Sequence, residues 1–311
     1  MDGSRPVSNT QRGVILAFIT AAISGLSIYL NSFGVKQVPD AAVYTTAKNG
    51  VAALILIAIA IALGAARESK ALDGKRRTGL LVIAVIGGSI PFILFFSGLA
   101  IATAPTAAFI QKTLFIWVAL MAVPLLDERL GLVPIAALGV LLVGQFLIAP
   151  PTGMGWGPGE TMIAAATLMW SVEIVIAKRL LVGVSAPLLG AARMGLGFIV
   201  LMGYLAVSGR LGGLTSLSSE GLMWVLVTGV MLACYVSAWF AALRLAPATI
   251  VTSILVVGAV ITGILSTLNT GKSPDPRVVV GYILVVVAVG IVAATASRFR
   301  KPDVAPTLVD A

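Results

Sequence analysis

Ten runs of apolar residues, each about 20 long, leave this chain little else to fold with; they lie at roughly 13–33, 41–64, 78–100, 104–125, 131–149, 159–178, 187–207, 220–243, 247–268 and 277–297. About 20 such residues, wound as a helix, cross a hydrocarbon core of about 30 Å. With 59% hydrophobic and 11% charged residues and a mean hydropathy of +1.07, the chain has no surplus polar surface to turn to water. A membrane barrel would alternate apolar and polar positions over segments of about ten residues, whereas VAALILIAIAIALGAA at 51–66 is apolar on every side. A helix satisfies its own backbone N–H and C=O groups, as a bilayer requires. The sequence therefore predicts an all-α integral membrane protein of ten transmembrane helices. The first run exceeds a signal-peptide core and lacks a good small-residue cleavage site, so it is expected to stay as a helix.

The 21 Lys and Arg residues indicate the direction of threading, because short cytoplasmic loops collect basic side chains. If ten spans place both ends on one side, that side holds fourteen of them, including Arg67, Lys70, Lys75, Arg76, Arg77 and Arg129. The other side holds Lys36, Arg210, Lys272 and Arg277, while Lys48, Lys112 and Arg193 fall within spans. Both ends are expected in the cytoplasm. The net charge of +9 then belongs to loops facing an anionic leaflet, and no nucleic-acid partner is expected.

No histidine occurs, which removes imidazole catalysis, imidazole metal ligation and a histidine proton relay. The one cysteine, Cys234, cannot form an intrachain disulfide and is expected as a small core residue. TGKSP at 270–274 lacks the upstream glycine and following helix of a phosphate loop, and GMGWGPG at 153–159 follows no strand. No cofactor, metal or nucleotide is expected.

The sequence also repeats. APT at 104–106 matches APA at 246–248 with an offset of 142, and Lys48-Asn49-Gly50 matches Arg193-Met194-Gly195 with an offset of 145. The expected division is 1–150 and 151–311, the second part ending in a cytoplasmic tail from Arg298. Five spans per half is an odd number, so the second half enters the membrane from the opposite side. Inverted halves can rock about a central site, which is what a transporter needs.

APTAAF, PLLDERLG (124–131) and GVLLVG (139–144) in the first half, with APATIV and GYILVVVAVG (281–290) in the second, resemble the EamA-type members of the drug/metabolite transporter superfamily. The resemblance covers essentially the whole chain. The second half departs from it at LNTGKSPDP (268–276), which lacks the Glu-Arg pair. Membership would imply ten helices in two inverted halves, a central cavity and efflux of small metabolites. The likeness is greatest to bacterial inner-membrane exporters of aromatic and other amino acids.

Several intramembrane residues are candidates for cargo contact. Lys112 lies about 11 Å from the outer surface at 1.5 Å per residue, beside Gln111; it is either a cavity lysine for a cargo carboxylate or one snorkelling to the interface. Glu173 either accepts an ammonium or coupling proton, or pairs structurally with Lys178 or Arg193. Lys48 and Arg193, at matching positions, read as anchors, gates or binding groups. Trp117, Trp170, Tyr235 and Trp239 lie deep enough to line a cavity or to pack between helices, whereas Tyr29, Tyr44, Trp156, Tyr204, Trp224 and Tyr282 are expected in an outer aromatic belt. In GGSIP (87–91), Gly87, Gly88 and Pro91 predict a bend, since the proline frees a backbone carbonyl. The partners expected are amino acids and the lipid bilayer. Two other readings remain: an exporter of cationic or hydrophobic drugs, in which Glu173 would dominate, and an intramembrane enzyme, for which Asp127 and Glu128 form the one close acidic pair, in a turn more simply read as ending a helix.

Overall fold

A computed structural model of the chain describes residues 8–151 and 156–296, where all regular structure is helical. The first part runs through α1 (Asn9–Gln37), α2 (Ala41–Ala62), α3 (Ala65–Ala71), α4 (Gly74–Ile86), α5 (Ile90–Leu99), α6 (Ala104–Lys112), α7 (Leu114–Leu126) and α8 (Leu132–Ile148). The second runs through α9 (Pro158–Leu180), α10 (Ala186–Val207), α11 (Gly212–Thr215), α12 (Ser219–Leu245), α13 (Ala248–Leu255), α14 (Val257–Thr270) and α15 (Pro276–Ala294).

Among the described residues, nine helical segments are long and apolar enough to cross a membrane, with α4 and α5, α6 and α7, and α13 and α14 each counted as one. The expected fifth span, α8, has 17 residues, about 25 Å of helix against a core of about 30 Å. The expected tail from Arg298 lies outside the described residues.

Helix starts are written locally. Ser8 and Gln11 form a reciprocal capping box on α1, Asp40 caps α2 through the N–H of Ala42 at 2.8 Å, and proline stands in the first turn of α5, α6, α9, α10 and α15. Two long spans tighten at equivalent places. The amide of Thr113 reaches the carbonyl of Ile110 at 3.1 Å, and that of Val256 reaches Ser253 at 3.2 Å, separating α6 from α7 and α13 from α14.

The two parts of the chain interleave: α1 lies along α12, α2 against α10 and α12, α5 along α9, and α8 along α15. Lipid tails are as apolar as leucine, so helices associate through close van der Waals packing, and small residues make that possible. At the seam between α8 and α15, a methyl added to Gly281 would lie 2.8 Å from the Gly144 carbonyl oxygen.

Two expectations are corrected. Tyr44 is no belt residue but is 1% exposed, because its hydroxyl finds partners inside, at 3.0 Å to Asn31 Oδ1 and 2.9 Å to Thr228 Oγ1. Cys234 is exposed on α12 rather than buried, a position its small, weakly polar thiol tolerates against lipid.

Gly281→Ala should lower the thermal stability of the purified protein by about 1–3 kcal/mol through overpacking. Gly290→Ala, on the same helix with nothing within 4 Å of the added methyl, should be neutral or slightly stabilising. Thermal unfolding of both variants checks the seam.

Candidate functional site

The break in the third span organises the centre. Pro91 has no N–H, so the carbonyl four residues earlier, that of Gly87, loses its intrahelical donor. Residues 87–89 form a turn between α4 and α5, and the Ser89 hydroxyl donates back to the carbonyls of Ala84 and Val85 at 3.0 and 3.1 Å. The Gly87 carbonyl takes new donors from elsewhere: Trp170 Nε1 on α9 at 3.1 Å and Arg193 Nη2 on α10 at 2.9 Å. The expected bend is present, and its freed carbonyl is fully answered.

Arg193 brings a charge that lipid does not tolerate alone. Its Nε donates to Glu173 Oε1 at 3.1 Å, and the two residues are 8% and 2% exposed. Of the two partners considered for Glu173, the structure places Arg193 against it. Lys178 instead donates to the carbonyls of Leu243 and Ala246. Backbone fit is equally close, since Gly88 packs on the Arg193 carbonyl and on Gly197.

Aromatic rings border this cluster. Trp170 meets Phe92 edge-on at 5.4 Å and Phe95 at 5.7 Å between ring centroids. Tyr235 stacks on Trp239 at 6.0 Å and lies within electrostatic reach of Arg193 and Glu173. Trp117 stands apart, 41% exposed on α7, its Nε1 donating to Thr113 Oγ1 at 3.1 Å.

Lys112 is the last residue of α6, beside the tightened turn at Thr113. It and Gln111 are half-buried, and neither makes a hydrogen bond or ion pair among the described residues. The contrast with Lys48 is direct: that ammonium is 8% exposed, donates to Asn31 Oδ1 at 3.1 Å and sits 5.3 Å from the centre of the Tyr44 ring. The structure thus brings Trp170 and Arg193 together on the Gly87 carbonyl, pairs Arg193 with Glu173 and stacks Tyr235 on Trp239, while Gln111 and Lys112 remain unengaged.

Sequence reasoning did not find the Asn31–Tyr44–Thr228 group. The available signal was three polar side chains within apolar runs. It singled out Glu128 only as half of an acidic pair and missed its contact: the residue is 9% exposed, and its carboxylate accepts from the N–H groups of Ala248 at 2.5 Å and Thr249 at 3.1 Å. A cleft of about 840 Å³ lies between α7 and α8 and ends at Asp127–Leu130. None of the expected cargo-binding residues lines it.

A model of the EamA-like transporter family matches residues 11–149 and again residues 157–294. No curated protein matches the sequence. A solved crystal structure superposes with a TM-score of 0.77 at 17% identity, covering 94% of this chain and 100% of that one. At that identity the likeness is one of fold.

Replacing Arg193 by Leu leaves the Glu173 carboxylate buried without a cation and should cost about 3–5 kcal/mol of stability. Adding Glu173→Gln to Arg193→Leu should recover part of that loss, because the double variant buries no charge. Unfolding of the two single variants and the double one in detergent measures the coupling; additive losses would show that the two side chains act separately.

Proposed function

The chain belongs to the EamA-like transporter family, and from that premise we propose that it is a secondary exporter of small metabolites, with aromatic and other amino acids as cargo. Family membership makes it a multi-pass membrane transporter of small molecules rather than an enzyme. In this reading α8 is a short fifth crossing, residues 1–150 and 151–311 form two inverted halves of five crossings each, and cargo passes by alternating access. The matching turns at Thr113 and Val256 support the repeat. The lopsided basic loops support cytoplasmic ends, in a bacterial inner membrane.

The observation that carries the cargo reading is Lys112: an ammonium inside a span, half-buried and without a counter-charge among the described residues. Such a group costs free energy in the membrane, and a cargo carboxylate would offset it. The surrounding charges favour the same cargo. Glu173 is occupied by Arg193, which leaves no free carboxylate there for a cationic drug, and Lys48 has neutral partners only. The interior is therefore net positive. Gln111 offers an adjacent amide, and Trp170, Tyr235 and Trp239 supply aromatic surface for a side chain. The turn at Gly87, Gly88 and Pro91 is the hinge in this proposal.

Lys112→Met keeps length and removes charge, whereas Lys112→Arg keeps charge and changes its shape. The Met variant should insert normally yet lose binding of amino acids at least tenfold more than binding of their amides. Equal loss for both ligands in proteoliposomes would assign Lys112 to structure. For orientation, cysteines placed at Ser69 and Ser216 in a Cys234→Ala background should label with an impermeant maleimide from opposite faces of the membrane. Labelling from one face would remove the inverted topology.

A further inference from the structure

We propose that Glu128 is a positioning residue of the transport cycle: its carboxylate latches α13 and so shuts the pathway on the face that carries the Arg129 turn and the 66–77 loop. The inference goes beyond the cargo reading and holds for any cargo. Glu128 belongs to the first half of the chain, and the two N–H groups it holds open the interrupted ninth span of the second half. A buried carboxylate on the free N–H groups of a helix start is a charge-assisted, dipole-favoured contact. The tightened turn at Val256 separates α13 from α14, so α13 can swing as a unit when its start is released.

Two neighbouring contacts cross between the halves on the same face. Arg179 on α9 donates through Nε and Nη2 to the Leu125 carbonyl at 3.1 and 2.6 Å, anchoring the end of α7 from which Glu128 projects. Glu68 accepts from the Ser185 N–H at 2.6 Å and its hydroxyl at 2.5 Å, at the start of α10. The opposite face is tied differently. The corresponding turn, LNTGKSPDP, has no glutamate, its Asp275 caps its own helix through the Arg277 N–H at 2.8 Å, and α6 is capped from within by Thr103. The cross-half ion pair there, Arg210 with Asp40 at 3.5 Å, is 44% and 35% exposed, the kind of contact that solvent screens. Carboxylate contacts between the halves thus gather on one face, whereas the other is held by the exposed Arg210–Asp40 pair and the neutral Tyr44–Thr228 hydrogen bond, and an alternating-access cycle has to undo the carboxylate contacts once per turnover.

Ser253→Cys in a Cys234→Ala background places a thiol on α13 where the native side chain is 0% exposed. Its reaction with an impermeant maleimide is read in vesicles of each orientation. Glu128→Gln keeps the volume, but its single carbonyl can accept from one N–H while its NH2 group faces the other. Labelling from the Arg129 face should accelerate at least fivefold, with no acceleration from the opposite face. Asp127→Asn, the exposed neighbour, should change neither rate. An unchanged rate, or an equal rise from both faces as in general loosening, would overturn the latch. If the Gln variant does not accumulate, Glu128→Asp, one methylene too short to hold both N–H groups, is judged by the same criterion.

Discussion

The carbonyl of Gly87 sits midway through a span with no helical donor, and in lipid there is no water to replace one. Pro91 creates that deficit, and the rest of the central cluster answers it. Trp170 and Arg193 supply N–H groups at 3.1 and 2.9 Å, but a guanidinium cannot be buried alone, so Glu173 must be buried with it. One proline thereby recruits side chains from α9 and α10 to the junction of α4 and α5. The group is chemically saturated: carbonyl, cation and carboxylate all have partners. An exchangeable cargo is better served by groups that remain unengaged, which is why Lys112 and not Glu173 carries the cargo reading.

The two halves share architecture and differ in chemistry where the first half carries an intramembrane charge. Lys48 rests on a neutral amide and a tyrosine ring, whereas Arg193 is neutralised by a carboxylate. The turns at Thr113 and Val256 have the same hydrogen-bond form, yet one carries Lys112 where the repeat offset gives the other Ile254, which is fully buried. Architecture in such a repeat follows from apolar spacing, caps and prolines, all of which tolerate divergence. Charge placement breaks the symmetry and makes the interior net positive.

The helices were legible in the sequence because bilayer thickness imposes a length that apolar runs display directly, and caps such as Asp40 and Ser8 act within three residues. The fifth run is the exception: its helix stops at 17 residues, since Gly131 and the Ala149-Pro150-Pro151 stretch end it inside the apolar run. The bend at Gly87 was legible because Pro91 acts on a carbonyl four residues away. Tyr44 was misplaced because depth alone suggests a belt, while its burial depends on Thr228, 184 residues distant. The Glu128 contact is hidden for the same reason, as nothing near residues 127–129 marks the start of α13 as its partner, 120 residues on. Contacts across the halves need the fold, and local sequence does not contain it.

The unequal fastening of the two faces bears on energetics. An exposed pair such as Arg210 with Asp40 contributes about 0–1 kcal/mol, whereas each buried hydrogen bond to a charged group is worth roughly 1.5–3 kcal/mol. Glu128 makes two buried hydrogen bonds and Glu68 two part-buried ones on the same face, and on the proposed latch these contacts lower the free energy of the conformer closed there. Opening that face is then a minority state, and apparent affinity for cargo entering from it falls by the fraction open. Cargo can raise that fraction only by binding the open conformer more tightly than the closed one. An unengaged ammonium at Lys112 suits that requirement, because its deficit is present before cargo arrives and is relieved when a carboxylate does. On the proposed reading, the latch sets how rarely the pathway opens toward the Arg129 turn, and the lysine sets what is held when it does.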